Sequence, residues 1–119
     1  MTAQLYCFGE SGNAYKAALT MALTGYDWQP VFVDFFNGAT RSPDYLALNE
    51  MGEAPVFVEG DLKLKQSGVI QLHVVEATVQ LMGEPEDRAE VMRWMFWDNH
   101  KGSPEFGALR FMMHFLHEE

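Results

Sequence analysis

Apolar and polar positions change period several times along the chain, and each change marks an element. Residues 3–8 (AQLYCF) are short, aromatic-rich and bounded by Gly9, which predicts a first strand. Ala14, Ala17, Ala18, Met21 and Ala22 recur at helical spacings, and Gly25 stands where such a helix would end. Trp28 to Phe36 (WQPVFVDFF) predicts a second strand, with Pro30 near its beginning or on a sheet edge. The turn-rich NGATRSP follows, then a short helix over PDYLALN with Ser42 as its cap and Pro43 in its first turn. Two short strands flank Glu59-Gly60-Asp61, a strong hairpin signal. The next helix has Ser67 as its expected cap, a broad apolar face including Ile70, Val74 and Leu81, and Gly83 at its end. The order βαβαββα with two crossovers is a mixed α/β layer architecture.

After Pro85 the pattern is helical alone, with two segments expected at about 86–101 and 105–118. The runs VMRWMFW and FGALRFMMHFL put large apolar groups on more than one helical face. An aromatic side chain left unburied forgoes about 1.5–3 kcal/mol. Such faces call for partners on several sides, either another chain or further helices of a longer protein.

Composition narrows the choice of partners. The 119 residues suffice for one ordinary domain but not two full ones, and 48% are apolar, enough for a packed core. The net charge of −9 is spread over the length, with nine acids and four bases up to residue 83 and eight acids and four bases beyond it. No basic stripe exists to neutralise phosphates, which argues against nucleic acid. An anionic ligand would therefore need local donors. Cys7 is the only cysteine, so neither an internal disulfide nor a cysteine zinc cluster is expected. No basic leader followed by a long apolar run is visible, and the expectation is a soluble protein in the reducing cytoplasm without a membrane role.

Three short stretches carry candidate chemistry. Glu10-Ser11-Gly12-Asn13 lies at the start of the first helix, where free N–H groups and a locally positive end let a hydroxyl stabilise an anion; Ser11 or Asn13 is equally suited to be a plain helix cap. Pro55, in Glu53-Ala54-Pro55-Val56, is consistent with a trans proline opening an edge strand. Gln66-Ser67-Gly68 opens the third helix, where the Ser67 hydroxyl and N–H suit a carboxylate and Gln66 suits an amine or carboxylate. Tyr6 lies within a strand and reads as core or rim. Cys7 lacks a CxxC partner and reads as packing. His114 and His117 share a helix face beside Glu118, but these, His73 and His100 do not amount to a metal site, and none is expected. Trp94, Trp97, Phe106 and Phe111 could line an apolar pocket or serve as interhelical core, and Phe8 and Phe35 are similarly ambiguous.

The runs LYCFGESGNAYKAAL, RSPDYLALNEMGEAPVF and KQSGVIQLHV, in this order and spacing, resemble the N-terminal domain of the glutathione S-transferase family. EVMRWMFWDNH and ALRFMMHF resemble the first helices of that family's helical domain. The resemblance implies a thioredoxin-like domain over 1–82 and, over 86–119, two helices of an incomplete all-α domain. It implies glutathione as co-substrate, a hydrophobic electrophile as second substrate and a homodimer. Ser11 matches the thiolate-stabilising serine, with Asn13 a neighbouring donor. A cis Pro55 would expose the Ala54 backbone to the cysteinyl part of glutathione, and Gln66 with Ser67 would hold the γ-glutamyl end. One departure stands out: Glu53 occupies a place where the family pattern has lysine, which leaves Arg41 or a residue from a partner chain as a candidate compensating cation. Two alternatives to transferase activity stay open, a glutathione-dependent thiol-disulfide reductase and a non-catalytic binding or assembly module.

Overall fold

The computed structural model describes residues 1–115, so His117 and Glu118 lie outside the described residues. The chain divides into two units, the first spanning Met1–Leu81 and the second beginning at Met82.

The first unit is a four-stranded sheet with helices on both faces. Its elements are β1 (Ala3–Cys7), α1 (Gly12–Thr24), β2 (Trp28–Phe32), α2 (Pro43–Leu48), β3 (Val56–Glu59), β4 (Leu62–Lys65) and α3 (Ser67–Thr78). The strand order is β2-β1-β3-β4, with β1 parallel to β2 and the other pairs antiparallel. β2 is thus an edge strand, which is why Pro30 is tolerated in its middle, opposite Leu5. It is shorter than expected: after Phe32 the chain turns through two 3-10 segments, Phe35–Asn37 and Ala39–Arg41.

Strand alternation divides the core in two. Ala3 and Leu5 of β1 and Phe57 of β3 face Ala17 and Met21 of α1 and Ile70 and Val74 of α3. The intervening Val56 faces the other way, packing with Val33 and with Tyr45 of α2, and Tyr6 and Val58 pack against that cluster. Phe57, Leu5, Met21 and Ile70 are fully enclosed, and burying each such side chain contributes about 1.5–3 kcal/mol. Gly25 ends α1 at φ 71°, sending its N–H back to the carbonyls of Met21 and Ala22. At the sheet end formed by the start of β1 and the end of β3, the Tyr26 hydroxyl donates to Glu59 at 2.8 Å, with His73 Nε2 3.8 Å from the same carboxylate.

Two expected boundaries are corrected. Ser67 is the first residue of α3 and not its cap; the cap position belongs to Gln66, whose side chain makes no capping bond. The same helix stops at Thr78, before Gly83, because Val79 itself takes the left-handed conformation at φ 54°.

Among its described residues the second unit has four helical segments where two were expected: a 3-10 turn at Pro85–Asp87, α4 (Arg88–Trp97), a π-helical turn at Asp98–Gly102, and α5 (Ser103–His114). The Ser103 hydroxyl donates to Asp98 at 3.0 Å across the π-helical turn. His100 lies within that turn. Trp94, Phe96, Trp97, Phe106, Leu109 and Met113 are exposed, as the apolar pattern on several faces anticipates.

Candidate functional site

The pairing registers bring the sequence candidates of the first unit to one end of the sheet. Val56 is opposite Tyr6 on one side and Lys65 on the other, so Cys7, Pro55 and Gln66, the next residues outward, share that end. The Ala54–Pro55 peptide is cis, as the resemblance implies.

Ser11 sits at the tip of the β1–α1 turn, closed by its N–H donating to the Phe8 carbonyl at 3.1 Å. It is the cap of α1: its Oγ accepts from the Ala14 N–H at 3.1 Å. A hydroxyl oxygen that accepts still has its proton to give, so capping and donation to an anion coexist in one residue. Ser11 opens onto a cavity of about 410 Å³ lined chiefly by Cys7, Phe8, Tyr15, Ala18 and Phe32. Asn13 is exposed on the first turn of α1 and does not line this cavity. Phe8 stacks on Phe35 at 4.6 Å between ring centroids, with Phe36 edge-on at 5.9 Å.

Burial pushes the Cys7 thiol pKa up, only partly offset by a backbone hydrogen bond from Val31. A raised thiol pKa opposes thiolate formation, and Cys7 packs against the larger core cluster. Tyr6 stands edge-on to Tyr45 at 6.5 Å, a packing position.

The loop leading into Pro55 is held by two buried side chains of the α2 region. The Tyr45 hydroxyl and the Asn49 Nδ2 both donate to the Glu53 carbonyl, at 2.9 and 2.8 Å. Asn49 also accepts the Met51 N–H, and Gly52 turns at φ 64° with its Cα side against the Thr40 carbonyl. Ala54 is thereby presented by a backbone whose preceding carbonyl is fixed. Burial first, and then the neighbouring Cys7 and Tyr6, push the Tyr45 hydroxyl pKa up to about 12. It therefore remains a donor throughout the neutral range. Sequence reasoning missed Tyr45 and Asn49 in this role; the Asn four residues before Glu53, just past a short helix, was the available signal.

Gln66 is exposed and held at φ 75°, ψ 123°, a conformation that costs a non-glycine residue about 1–3 kcal/mol. Ser67 is only 7% exposed, yet its hydroxyl makes no hydrogen bond among the described residues. Among the described residues no fully enclosed side-chain oxygen or nitrogen lacks a partner, so this hydroxyl keeps an open side. It stands at the N-terminus of a twelve-residue helix whose first N–H groups have no intrahelical acceptor. The arrangement suits a carboxylate.

Glu53 and Arg41 are exposed and form no ion pair with each other among the described residues. Trp94, Trp97, Phe106 and Phe111 belong to the second unit, where Trp94 and Trp97 meet edge-on at 5.8 Å. No cluster of metal-ligating side chains occurs among the described residues, and no described helix is long and apolar enough to cross a membrane.

A βαβαββα sheet with a cis proline beside two helix N-termini defines the thioredoxin-like class. Residues 1–76 match the profile of the glutathione S-transferase N-terminal domain, and the chain belongs to the glutathione S-transferase family. It is 33% identical over 88 residues to glutathione S-transferase F10 of Arabidopsis thaliana, covering 70% of this chain and 41% of that protein. It is 25% identical over 118 residues to the transcriptional regulator URE2 of Saccharomyces cerevisiae, covering 90% of this chain and 33% of that one. A crystal structure of a glutathione S-transferase from Xanthobacter autotrophicus Py2 superposes with a TM-score of 0.85 at 34% identity, covering 98% of this chain and 57% of that chain. The chain thus spans about a third of URE2 and just over half of the solved transferase.

Proposed function

We propose that this chain binds glutathione across the end of its sheet and activates the thiol for attack on an electrophilic apolar small molecule. The observation that carries the reading is Ser67, a buried residue at a helix N-terminus whose hydroxyl has no partner among the described residues, at the same sheet end as Ala54 and the β1–α1 turn that holds Ser11. Ser67 and Gln66 receive the γ-glutamyl end, and the Ala54 backbone pairs with the cysteinyl part. The Ser11 hydroxyl donates to sulfur, with Asn13 as a neighbouring donor. Lowering the bound thiol pKa by one unit requires about 1.4 kcal/mol of preferential thiolate stabilisation. A hydrogen bond from Ser11 reinforced by the end of α1 is of that order. The thiolate then forms a carbon–sulfur bond as the leaving group departs from the electrophile, the thiol proton having gone to solvent.

Residues 1–82 act in this reading as the glutathione-binding domain, and 86–119 as part of a helical domain that further helices or a partner complete. The exposed aromatics of α4 and α5 support a homodimer, and the single free cysteine supports a reducing cytoplasm. The test is conjugation of glutathione to an aromatic halide, measured alongside glutathione binding. Ser67→Ala should weaken binding and Ser11→Ala should lower turnover; unchanged behaviour in both variants would overturn the reading.

The likeness to URE2, whose name states a regulatory role, favours one second reading: a glutathione-binding module without catalysis. Binding without conjugation, in a chain of confirmed oligomeric state, would select it.

A further inference from the structure

The chain passes from the first unit to the second through conformations that its residues disfavour. Val79, Leu81 and Gly83 take φ of 54°, 63° and 68°, so alternate residues across the boundary after Leu81 lie in the left-handed region. Glycine enters that region freely, whereas the Cβ of leucine, and still more that of β-branched valine, is crowded there. Neither side chain gains burial in return, Val79 being 82% exposed and Leu81 58%.

Polar contacts hold the turn. The Val79 and Gln80 N–H groups both donate to the Val75 carbonyl, the second at 3.2 Å. The Gln80 side chain reaches from the end of α3 to the end of α1, where its Nε2 donates to the Thr24 carbonyl at 2.9 Å. Thr24 is the last residue of α1, so its carbonyl has no donor within the helix. On the far side of the boundary, the Asp87 carboxylate accepts the Glu84 N–H at 2.9 Å, and a Cβ at Gly83 would come within 2.9 Å of the same carboxylate. Leu81 and Gly83 thus lie between two anchors, Gln80 on Thr24 and Asp87 on Glu84.

We propose that Val79–Gly83 is a latched hinge. The Gln80–Thr24 bond is its catch, and release lets Val79 and Leu81 leave the left-handed region and redirects the chain where one unit gives way to the next. Hinges are a few element-terminal residues that absorb a change in φ and ψ, and Val79 stands at the end of α3. Backbone crowding favours opening and the side-chain bond opposes it, so substitutions at Val79 and Gln80 shift the balance in opposite senses.

The test is amide hydrogen exchange of the full chain, followed by NMR at low, sub-denaturing urea, on the wild type, Gln80→Glu and Val79→Gly. The Val79 and Gln80 amides of the wild type should exchange at a rate independent of urea, the mark of local opening, while those of Phe57 and Ile70 in the core follow global unfolding. Gln80→Glu keeps the side-chain length but at neutral pH offers Thr24 no donor. It should lower the protection of the Val79 and Gln80 amides about fivefold, the factor lost with one hydrogen bond. Val79→Gly should raise the protection of the Gln80 amide about threefold, because glycine accepts the left-handed conformation and gains less by opening. Linker amides that share the urea dependence of the core, unchanged protection in Gln80→Glu, or reduced protection in Val79→Gly would each overturn the proposal.

Discussion

The Tyr45 hydroxyl donates to the Glu53 carbonyl at 2.9 Å, and through this bond a helix on one face of the sheet fixes the backbone just before Ala54. Asn49 doubles the hold. Tyr45→Phe keeps the ring but removes the donor, and should cost about 1 kcal/mol of stability. Asn49→Ala also removes the Asn49–Met51 turn bond and should cost about 1–3 kcal/mol. Both should weaken glutathione binding, as checked by urea denaturation and titration.

Ser11→Ala removes the α1 cap and the donor proposed for sulfur together. The cap loss should cost about 1 kcal/mol. Loss of a donor to developing charge should lower turnover about a hundredfold. Ultraviolet absorbance of bound thiolate separates the two effects: the apparent pKa of bound glutathione should rise in the variant, which a purely structural role would not produce.

Gln66→Gly relieves a conformation that costs the wild-type residue about 1–3 kcal/mol, against about 1 kcal/mol of added chain freedom in the unfolded state. Thermal stability should hold or rise slightly while glutathione affinity falls. At Gly52 the opposite holds: an alanine Cβ would approach the Thr40 carbonyl to 3.1 Å at φ 64°, so Gly52→Ala should destabilise by more than about 1 kcal/mol.

Tyr26 and Tyr45 set an alkaline limit. Burial first, and then the Glu59 carboxylate, push the Tyr26 hydroxyl pKa up to about 12, and Tyr45 reaches about 12 as well. In the unfolded chain both titrate near 10. Above that value the unfolded state has lost protons that the folded state retains, so their contribution, fully present below about pH 10, is lost as pH rises towards 12. Melting temperature should decline over this interval, and less steeply in Tyr26→Phe and Tyr45→Phe.

Much of this fold was legible in the sequence because its elements are locally determined. The Ser11 and Ser42 caps, the left-handed Gly25 and the hairpin at Gly60-Asp61 each use a residue suited to its backbone position. Expectations failed where the backbone departs from local propensity. Gln66 and Val79 take positive φ with side chains that disfavour it, so Ser67 moves into the helix and α3 ends early. The π-helical turn at 98–102 interrupts a pattern that reads as two plain helices. Ser11 as a helix cap was legible from the residues, and the cis Pro55 from the family resemblance. Tyr45 and Asn49 were not read in this role, because their target is a backbone carbonyl and the only signal was an Asn just past a short helix.

The glutathione site itself is tested most directly by following backbone amide resonances of the full chain during titration with reduced glutathione. Saturable shifts concentrated at Ser11, Ala54 and Ser67, and weakened by Ser67→Ala, are the expected result. An absence of shifts at these three residues at millimolar ligand would contradict it.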